Sequence, residues 1–503
     1  MSTLAVKLAE RAQRDGSRPA IVTDEGTWSW AELAGQSFRL SSYLRRQGLR
    51  KGDRVALICG NRAAYLIAWF AAANVGAIAV TVNVGLVGDG LRYALVQSQS
   101  SFLLIEEALH KTLAAEIDQI DQPLIKLRFA DEADIATMTQ NESEDEIYAG
   151  LGSDPITIVY TSGTTGAPKG VLNCHTAYLE SGRRLAESLN ITMDDRIMVM
   201  LPLFHANPQI YAVMTALETG CTIIIRKRFS ASRVFDEARQ FDATMFTYVG
   251  SVLAMIAAKL PDGDRNHRVT RCVGGGCSPE IWHRMQDRFG VTPFELYGMS
   301  ETAGWASSNS VAHYRFGSCG KVRDDIELML VDGQDNPVSH GKPGEIVMRP
   351  REPFRILLEY WNNPAASQEA SRNLWFHSGD LGRFDEDGFL YFLGRSKEII
   401  RKGGENISPT ALEELILAFS KVRDVAAVAV PDPILEEEIK VCVVADTPFP
   451  IKELRDFLAT RVPKYMLPRY LQFVAAIPRT ETQKIRRKPL QENQQGIIDA
   501  QLA

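Results

Sequence analysis

The run Thr161-Ser162-Gly163-Thr164-Thr165-Gly166-Ala167-Pro168-Lys169-Gly170 gathers four hydroxyl side chains, three glycines and a lysine within ten residues. That mixture suits a phosphate. Glycine lets the backbone turn its N–H groups toward an anion, hydroxyls add donors, and lysine brings a mobile positive charge. The apolar run Ile156 to Tyr160 just before it reads as a buried strand, so the loop leaves a rigid support. A Walker A loop needs Gly, four residues and then Gly-Lys-Ser/Thr, whereas here Ala167-Pro168 separates Gly166 from Lys169 and Gly170 follows the lysine. The chemistry indicated is that of ATP on a scaffold of another kind.

Three later segments carry similar concentrations of polar and charged groups: Tyr297-Gly298-Met299-Ser300-Glu301-Thr302, then His377-Ser378-Gly379-Asp380 continuing to Gly394-Arg395-Ser396-Lys397, and Pro478-Arg479-Thr480 through Lys484. In this order and spacing, together with the loop, they resemble the signature of the AMP-forming, adenylate-forming synthetases: acyl-CoA synthetases, stand-alone adenylation domains and luciferases. The resemblance spans nearly the whole chain, and its cast is most similar to the carnitine or crotonobetaine CoA ligase branch. It implies an acid:CoA ligase that forms an acyl-AMP from ATP with Mg2+ and then a thioester with CoA.

Forming an acyl-adenylate sets a carboxylate against an α-phosphate while pyrophosphate leaves, so the site must supply positive charge and preorganised donors. The loop Thr161 to Lys169 would hold the β and γ phosphates. Glu301 is a hard oxygen ligand suited to Mg2+, and Thr302 carries a hydroxyl able to reach the α-phosphate. By resemblance, Tyr297 stacks on adenine and Gly274-Gly275-Gly276 passes beneath the ring, although three glycines after a strand also make an ordinary turn. Asp380 would accept from the ribose hydroxyls and Arg395 donate to ribose or phosphate; in isolation Asp380 reads as a turn residue.

Lys397 corresponds to the family's hinge, and Lys484 to the lysine that bridges substrate carboxylate and α-phosphate. Gln483 departs from the pattern, since the family usually has Gly before this lysine; a side chain there restricts the loop. Lys402-Gly403-Gly404-Glu405-Asn406 leaves room for a thin pantetheine arm, or simply ends a strand. For the acyl pocket, His205 matches the family's gate, with Tyr248, Gly250, Ala303 and Trp305 along the cavity. Asn207, Gln209 and Tyr211 make its mouth polar, favouring a small polar or aromatic carboxylate over a long acyl chain.

These residues need elements to position them. Between Ile156 and Tyr297 short apolar runs (196–201, 221–225, 243–248, 269–273) alternate with amphipathic ones (176–189, 231–241, 279–289), which argues for stacked α/β layers with parallel sheet. The first 150 residues repeat the style. A β-rich subdomain follows from about 324 to 350, and beyond Arg395 a small, mobile α+β domain is expected, giving domains at 1–394 and 395–503 with the hinge near Lys397.

At 503 residues and 45% hydrophobic content the chain calls for two or more cores. A net charge of -6 argues against nucleic acid as partner. No apolar run reaches the length of a membrane span, the first residues break their apolar run at Lys7 without a signal-peptide pattern, and the seven cysteines lack metal spacing. A cytoplasmic protein with reduced thiols is expected. Partners are a small carboxylate and a thiol, either CoA or a carrier protein, with a homodimer one option for assembly. Two other readings remain: an amide-forming synthetase or carrier-loading adenylation enzyme, and, because of Gln483, an adenylate-binding protein impaired in catalysis.

Overall fold

Short β-branched runs define the strand cores: Thr222–Ile225 and Ile78–Thr81 are buried along their whole length, as strands covered on both faces must be. In this computed structural model, residues 2–161, 168–395, 398, 400–402, 405–432, 435–480 and 484–500 are described. The expected residues Ser162, Gly163, Thr164, Thr165, Gly166, Lys397, Gly403, Gly404 and Gln483 lie outside that set.

One compact unit comprises Met1–Glu327 and Met348–Phe376. Among its described residues a nine-stranded sheet runs in the spatial order Lys321–Val322, Ser307–Ser308, Thr292–Tyr297, Arg271–Gly275, Met245–Val249, Arg196–Val199, Thr222–Ile225, Pro19–Val22, Thr27–Ser29. A seven-stranded sheet runs Glu359–Tyr360, Lys169–Cys174, Pro155–Thr161, Ile78–Thr81, Arg54–Ile58, Phe102–Glu106, Ile125–Phe129. The interiors of both are parallel. Residues of both sheets meet in one hydrophobic core around the helices Ala63–Val75 and His175–Ser188. The helix Ala63–Val75 is buried at every residue, so it has no polar face to orient it; its place is at the centre. Further helices cover the outer faces, Val234–Gln240, Gly250–Lys259 and Pro279–Phe289 on one sheet, and Gly88–Gln97 and Glu107–Asp118 on the other. The stacked α/β layers expected from the sequence are present.

One element escaped the sequence reading. Lys169–Cys174 is a strand, paired antiparallel with Pro155–Thr161 so that Thr161 faces Lys169. The segment expected to hold phosphate therefore falls between two paired antiparallel strands, and its lysine opens the second strand where a Walker lysine would open a helix.

The second compact unit comprises Leu328–Val347 and His377–Ala503. It carries most of a four-stranded sheet (Ile326–Val331, Gly344–Pro350, Phe376–Phe384, Leu390–Arg395) and a six-stranded sheet that packs the helices Pro409–Leu417 and Ile451–Ala459 into a separate core. This unit reaches further back than the expected boundary at 394/395. The Ser408 hydroxyl, which caps the helix Pro409–Leu417, also donates to Leu393 O, tying that helix to the strand before it.

His175 sets one condition on the first unit. The Leu4 N–H donates to His175 Nδ1 (3.0 Å), anchoring the start of the helix Leu4–Asp15, and the ring is fully buried. Desolvation holds its pKa down at about 3. A histidine depressed in the folded state stabilises it fully above the unfolded value near 6.5, and that contribution is lost as pH falls toward the folded value. Urea unfolding between about pH 7 and 4.5 should show a fall of up to ~1.4 kcal/mol per pH unit from this group. The variant His175→Asn, which keeps an acceptor, should have a correspondingly shallower slope; an unchanged slope would exclude His175 as its source.

Candidate active site

The antiparallel strands place Lys169 and Glu301 around one aromatic ring. Glu359–Tyr360 pairs with the strand Lys169–Cys174, Tyr360 opposite Val171, and Trp361 N–H donates to Gly170 O (2.7 Å). From there Lys169 Nζ stands 4.8 Å from the centroid of the Tyr360 ring, and Tyr360 OH donates to Glu301 Oε1 (2.9 Å). Two further bonds fasten the Glu301 turn: Leu357 N–H to Glu301 O (2.7 Å) and Asn173 Nδ2 to Ser300 O (3.1 Å). Tyr93 OH donates to Pro168 O (3.1 Å), fixing the residue just before Lys169.

The turn itself is tightly folded. Tyr297 ends its strand, and a Cβ on Gly298 would lie 2.1 Å from Gly304 O, so only glycine lets the two segments pass. Met299 N–H donates to Thr302 Oγ1 (3.1 Å), which donates back to Met299 O (3.0 Å). Thr302 is fully buried, and in this geometry its hydroxyl closes the turn. Ala303 is held at φ 49.

Beneath the turn lies a buried ionic knot. Arg323 is 1% exposed and donates to Asp325 Oδ1 (2.6 Å), Ser181 Oγ (2.9 Å), Trp305 O (3.0 Å) and Arg355 O (3.1 Å). Arg184 and Arg355 approach the other oxygen of Asp325 at 3.2 and 3.4 Å. Burial draws the Arg323 pKa below its ordinary value against the opposing pull of Asp325.

Glu295 organises the glycine segment. It accepts from Tyr248 OH (2.6 Å), from Cys277 N–H (3.1 Å) and from Gly276 N–H. Burial, reinforced by Glu295, pushes the Tyr248 phenol well above its usual pKa. The close neighbour of Gly274 is Tyr248 O, 2.0 Å from where its Cβ would be, and that of Gly250 is Gly276 O, at 1.7 Å. These glycines let neighbouring strand ends cross. Gly275 ends the strand Arg271–Gly275, and Met299 and Ser300 lie in the turn that follows Tyr297.

Of the expected acyl-pocket residues, Ala303 and Trp305 are buried in the main core, Trp305 Nε1 donating to Ser181 O (3.1 Å). His205 is half-buried, its ring centroid 4.5 Å from that of Phe204. Asn207 Nδ2 donates to Tyr248 O (3.0 Å), while its Oδ1 has no partner among the described residues. Gln209 and Tyr211 do not make a polar mouth. Gln209 is fully buried on Tyr65 OH, Tyr178 OH and Leu203 O, and Tyr211 OH donates to Gly304 O (2.7 Å), so both spend their polarity on the fold.

The remaining candidates belong to the second unit. Asp380 faces Arg395 across its hairpin, with Arg395 Nε 3.4 Å from Asp380 Oδ1. A clamp holds the preceding turn: Glu345 accepts from Gly379 N–H (3.1 Å) and lies 3.1 Å from His377 Nδ1, and Ser378 Oγ donates to Ile346 O (2.6 Å) while accepting from Asp380 N–H (3.1 Å). Asp335 stands 4.0 Å from the other ring nitrogen of His377. The two carboxylates face the two different nitrogens of the His377 ring and hold it from both sides. Lys484 is exposed on a hairpin closed by Thr480 N–H to Lys484 O (2.8 Å) and Lys484 N–H to Thr480 Oγ1 (3.1 Å).

Sequence reasoning missed Asn173, Glu295, Arg323, Glu345 and Tyr360. Asn173 and Glu295 left a trace, each a polar residue inside an apolar strand.

Known proteins share this arrangement of segments. The family model for the AMP-binding enzyme matches residues 8–361, and that for the AMP-binding enzyme C-terminal domain matches 411–484. A crotonobetaine/carnitine–CoA ligase of Salmonella paratyphi B is 31% identical over 481 residues, covering 92% of this chain and 93% of its own. A 2-succinylbenzoate–CoA ligase of Bacillus subtilis is 30% identical over 498 residues, 98% of each. Among solved structures, o-succinylbenzoate CoA synthetase of Bacillus subtilis with its acyl-adenylate intermediate superposes at TM-score 0.84 and 27% identity, covering 97% of this chain and 98% of its own. An anthranilate CoA ligase in complex with anthranoyl-AMP shares the fold at TM-score 0.90 and 22% identity, with 97% and 96% covered.

Removing one member of a buried ion network leaves the others unpaired at a cost of about 3–5 kcal/mol. Arg323→Met should lose about that much in urea unfolding, and Arg323→Lys, which keeps the charge without the fork, should fall between it and wild type. Wild-type stability in Arg323→Met would remove the knot as a support of the turn.

Proposed function

The chain belongs to the AMP-binding enzyme family, and from that premise we propose an ATP-dependent, AMP-forming acid:CoA ligase that activates a small polar or aromatic carboxylate through an acyl-AMP. The observation that carries the reading is the meeting of Lys169 and Glu301 around Tyr360, a positive group at the face of the ring and a negative one at its hydroxyl. The relatives' acids, crotonobetaine or carnitine and 2-succinylbenzoate, are small and polar or aromatic, and the unpartnered acceptor Asn207 Oδ1 suits a substrate with a donor.

In the first step a substrate carboxylate oxygen bonds to the α-phosphorus and the bond to pyrophosphate breaks. Lys169 meets the charge of the outer phosphates, and Lys484 that shared by the carboxylate and α-phosphate. Glu301 Oε2 accepts no hydrogen bond among the described residues, leaving a hard oxygen of the kind Mg2+ takes. Bound there, the cation would offset phosphate charge. Tyr297 and the glycine segment serve the base, Asp380 and Arg395 the ribose. In the second step the CoA thiol attacks the acyl carbon, AMP leaves with the bonding electrons and the thiol proton passes to solvent.

A panel of carboxylates tested for ATP–pyrophosphate exchange, followed by CoA-dependent AMP release, tests this function. Exchange with a small polar or aromatic acid and AMP release only with CoA is expected. ATP binding without exchange for any acid would favour an impaired adenylate-binding protein, and release dependent on an amine or a carrier-protein thiol would replace CoA.

Lys484→Ala should reduce exchange by about 100-fold or more, while thioester formation from supplied acyl-AMP falls by less than about tenfold. Equal loss in both steps would deny the lysine a role confined to adenylation.

A further inference from the structure

Lys169 and Glu301 are opposite charges near one another, yet among the described residues no ion pair joins them and no carboxylate reaches Lys169 Nζ. Tyr360 stands between them. It is buried, with its backbone locked into the strand beside Lys169–Cys174. Its ring face attracts the ammonium without neutralising it, as a π-face attracts any cation. Its hydroxyl donates to one oxygen of Glu301, and the other accepts no hydrogen bond among the described residues. Direct contact between Lys169 and Glu301 would spend both groups on each other, and opening that pair would oppose nucleotide binding.

We propose that Tyr360 is a positioning residue with two separable parts: its hydroxyl aims the Glu301 carboxylate at a divalent cation, and its ring holds Lys169 in reserve for phosphate. This rests on the reading of Glu301 as cation ligand and Lys169 as phosphate-loop lysine. The aromatic ring and the hydroxyl can be removed one at a time. Tyr360→Phe keeps the ring and loses only the donor; Tyr360→Leu loses both.

The experiment measures binding without turnover, in the full chain with ATP and no acid. Mn2+ bound in the ternary complex is followed by electron paramagnetic resonance, and ATP affinity in the absence of divalent cations by calorimetry. Tyr360→Phe should weaken Mn2+ by about tenfold, the scale of one hydrogen bond to a charged group, and leave cation-free ATP affinity unchanged. Tyr360→Leu should weaken both. Wild-type Mn2+ affinity in Tyr360→Phe, with Glu301→Gln impaired, overturns the proposal while leaving Glu301 as ligand. Wild-type Mn2+ affinity in Glu301→Gln overturns the ligand reading, and the hydroxyl's proposed role with it. Equal loss of cation-free ATP affinity in the Phe and Leu variants overturns the division between ring and hydroxyl. The Phe variant changes one buried atom, and its thermal unfolding midpoint verifies that it folds.

Discussion

The turn from Gly298 to Trp305 is built on a buried guanidinium. Arg323 reaches a serine of the helix His175–Ser188, the carbonyl of Trp305 and the carbonyl of Arg355, and is balanced by Asp325. Those three attachments are far apart in sequence and must be brought to one point before Glu301 has a fixed position. A buried pair of this kind adds little net stability, because desolvation offsets attraction. In exchange it demands one geometry: every donor must find its acceptor, so Ala303 is kept at a positive φ that an open turn would leave.

Above that floor, Lys169 and Glu301 approach one tyrosine without pairing with each other. A helix N-terminus would contribute its own partial positive charge to a phosphate. Here Lys169 stands at the start of the second of two antiparallel strands. No carboxylate pairs with that lysine among the described residues, and the aromatic face of Tyr360 stands against it instead. Glu295 shows the opposite treatment of a carboxylate: three donors surround it, and it serves to bind Tyr248 to the glycine segment.

Much of this was legible in the residues. The helix Pro279–Phe289 begins at a proline and ends at Gly290 in the left-handed region, both visible as helix signals, and its observed bounds are those expected. Strands such as Thr222–Ile225 announce themselves as β-branched runs. The strand Lys169–Cys174 did not, because its glycine and asparagine look like the continuation of a loop; it becomes a strand through partners on both sides, one of them from residues 359–360. Arg323 and Tyr360 were invisible for a related reason. An arginine among polar residues and a tyrosine before a tryptophan have no spacing that marks them, and their roles come from segments that only the fold assembles. The glycines 274–276 were seen, but their observed contacts are with crossing backbone at Tyr248, Leu296 and Gly250.

The acyl side illustrates how polarity in a sequence differs from polarity in a pocket. Gln209 and Tyr211 lie where a polar mouth was expected, yet each is turned into the core, where an unpaired polar group would be costly. Their bonds to Leu203 O and Gly304 O join the segment before His205 to the turn that carries Glu301, so a change of acid specificity that touched either would disturb the nucleotide side as well. Asn207 is different, for one of its two polar atoms is committed and the other is not. A side chain anchored at one end and unpartnered at the other among the described residues can meet a new donor without reorganising the fold, so under the proposed function position 207, more than 209 or 211, is where a change would disturb the fold least.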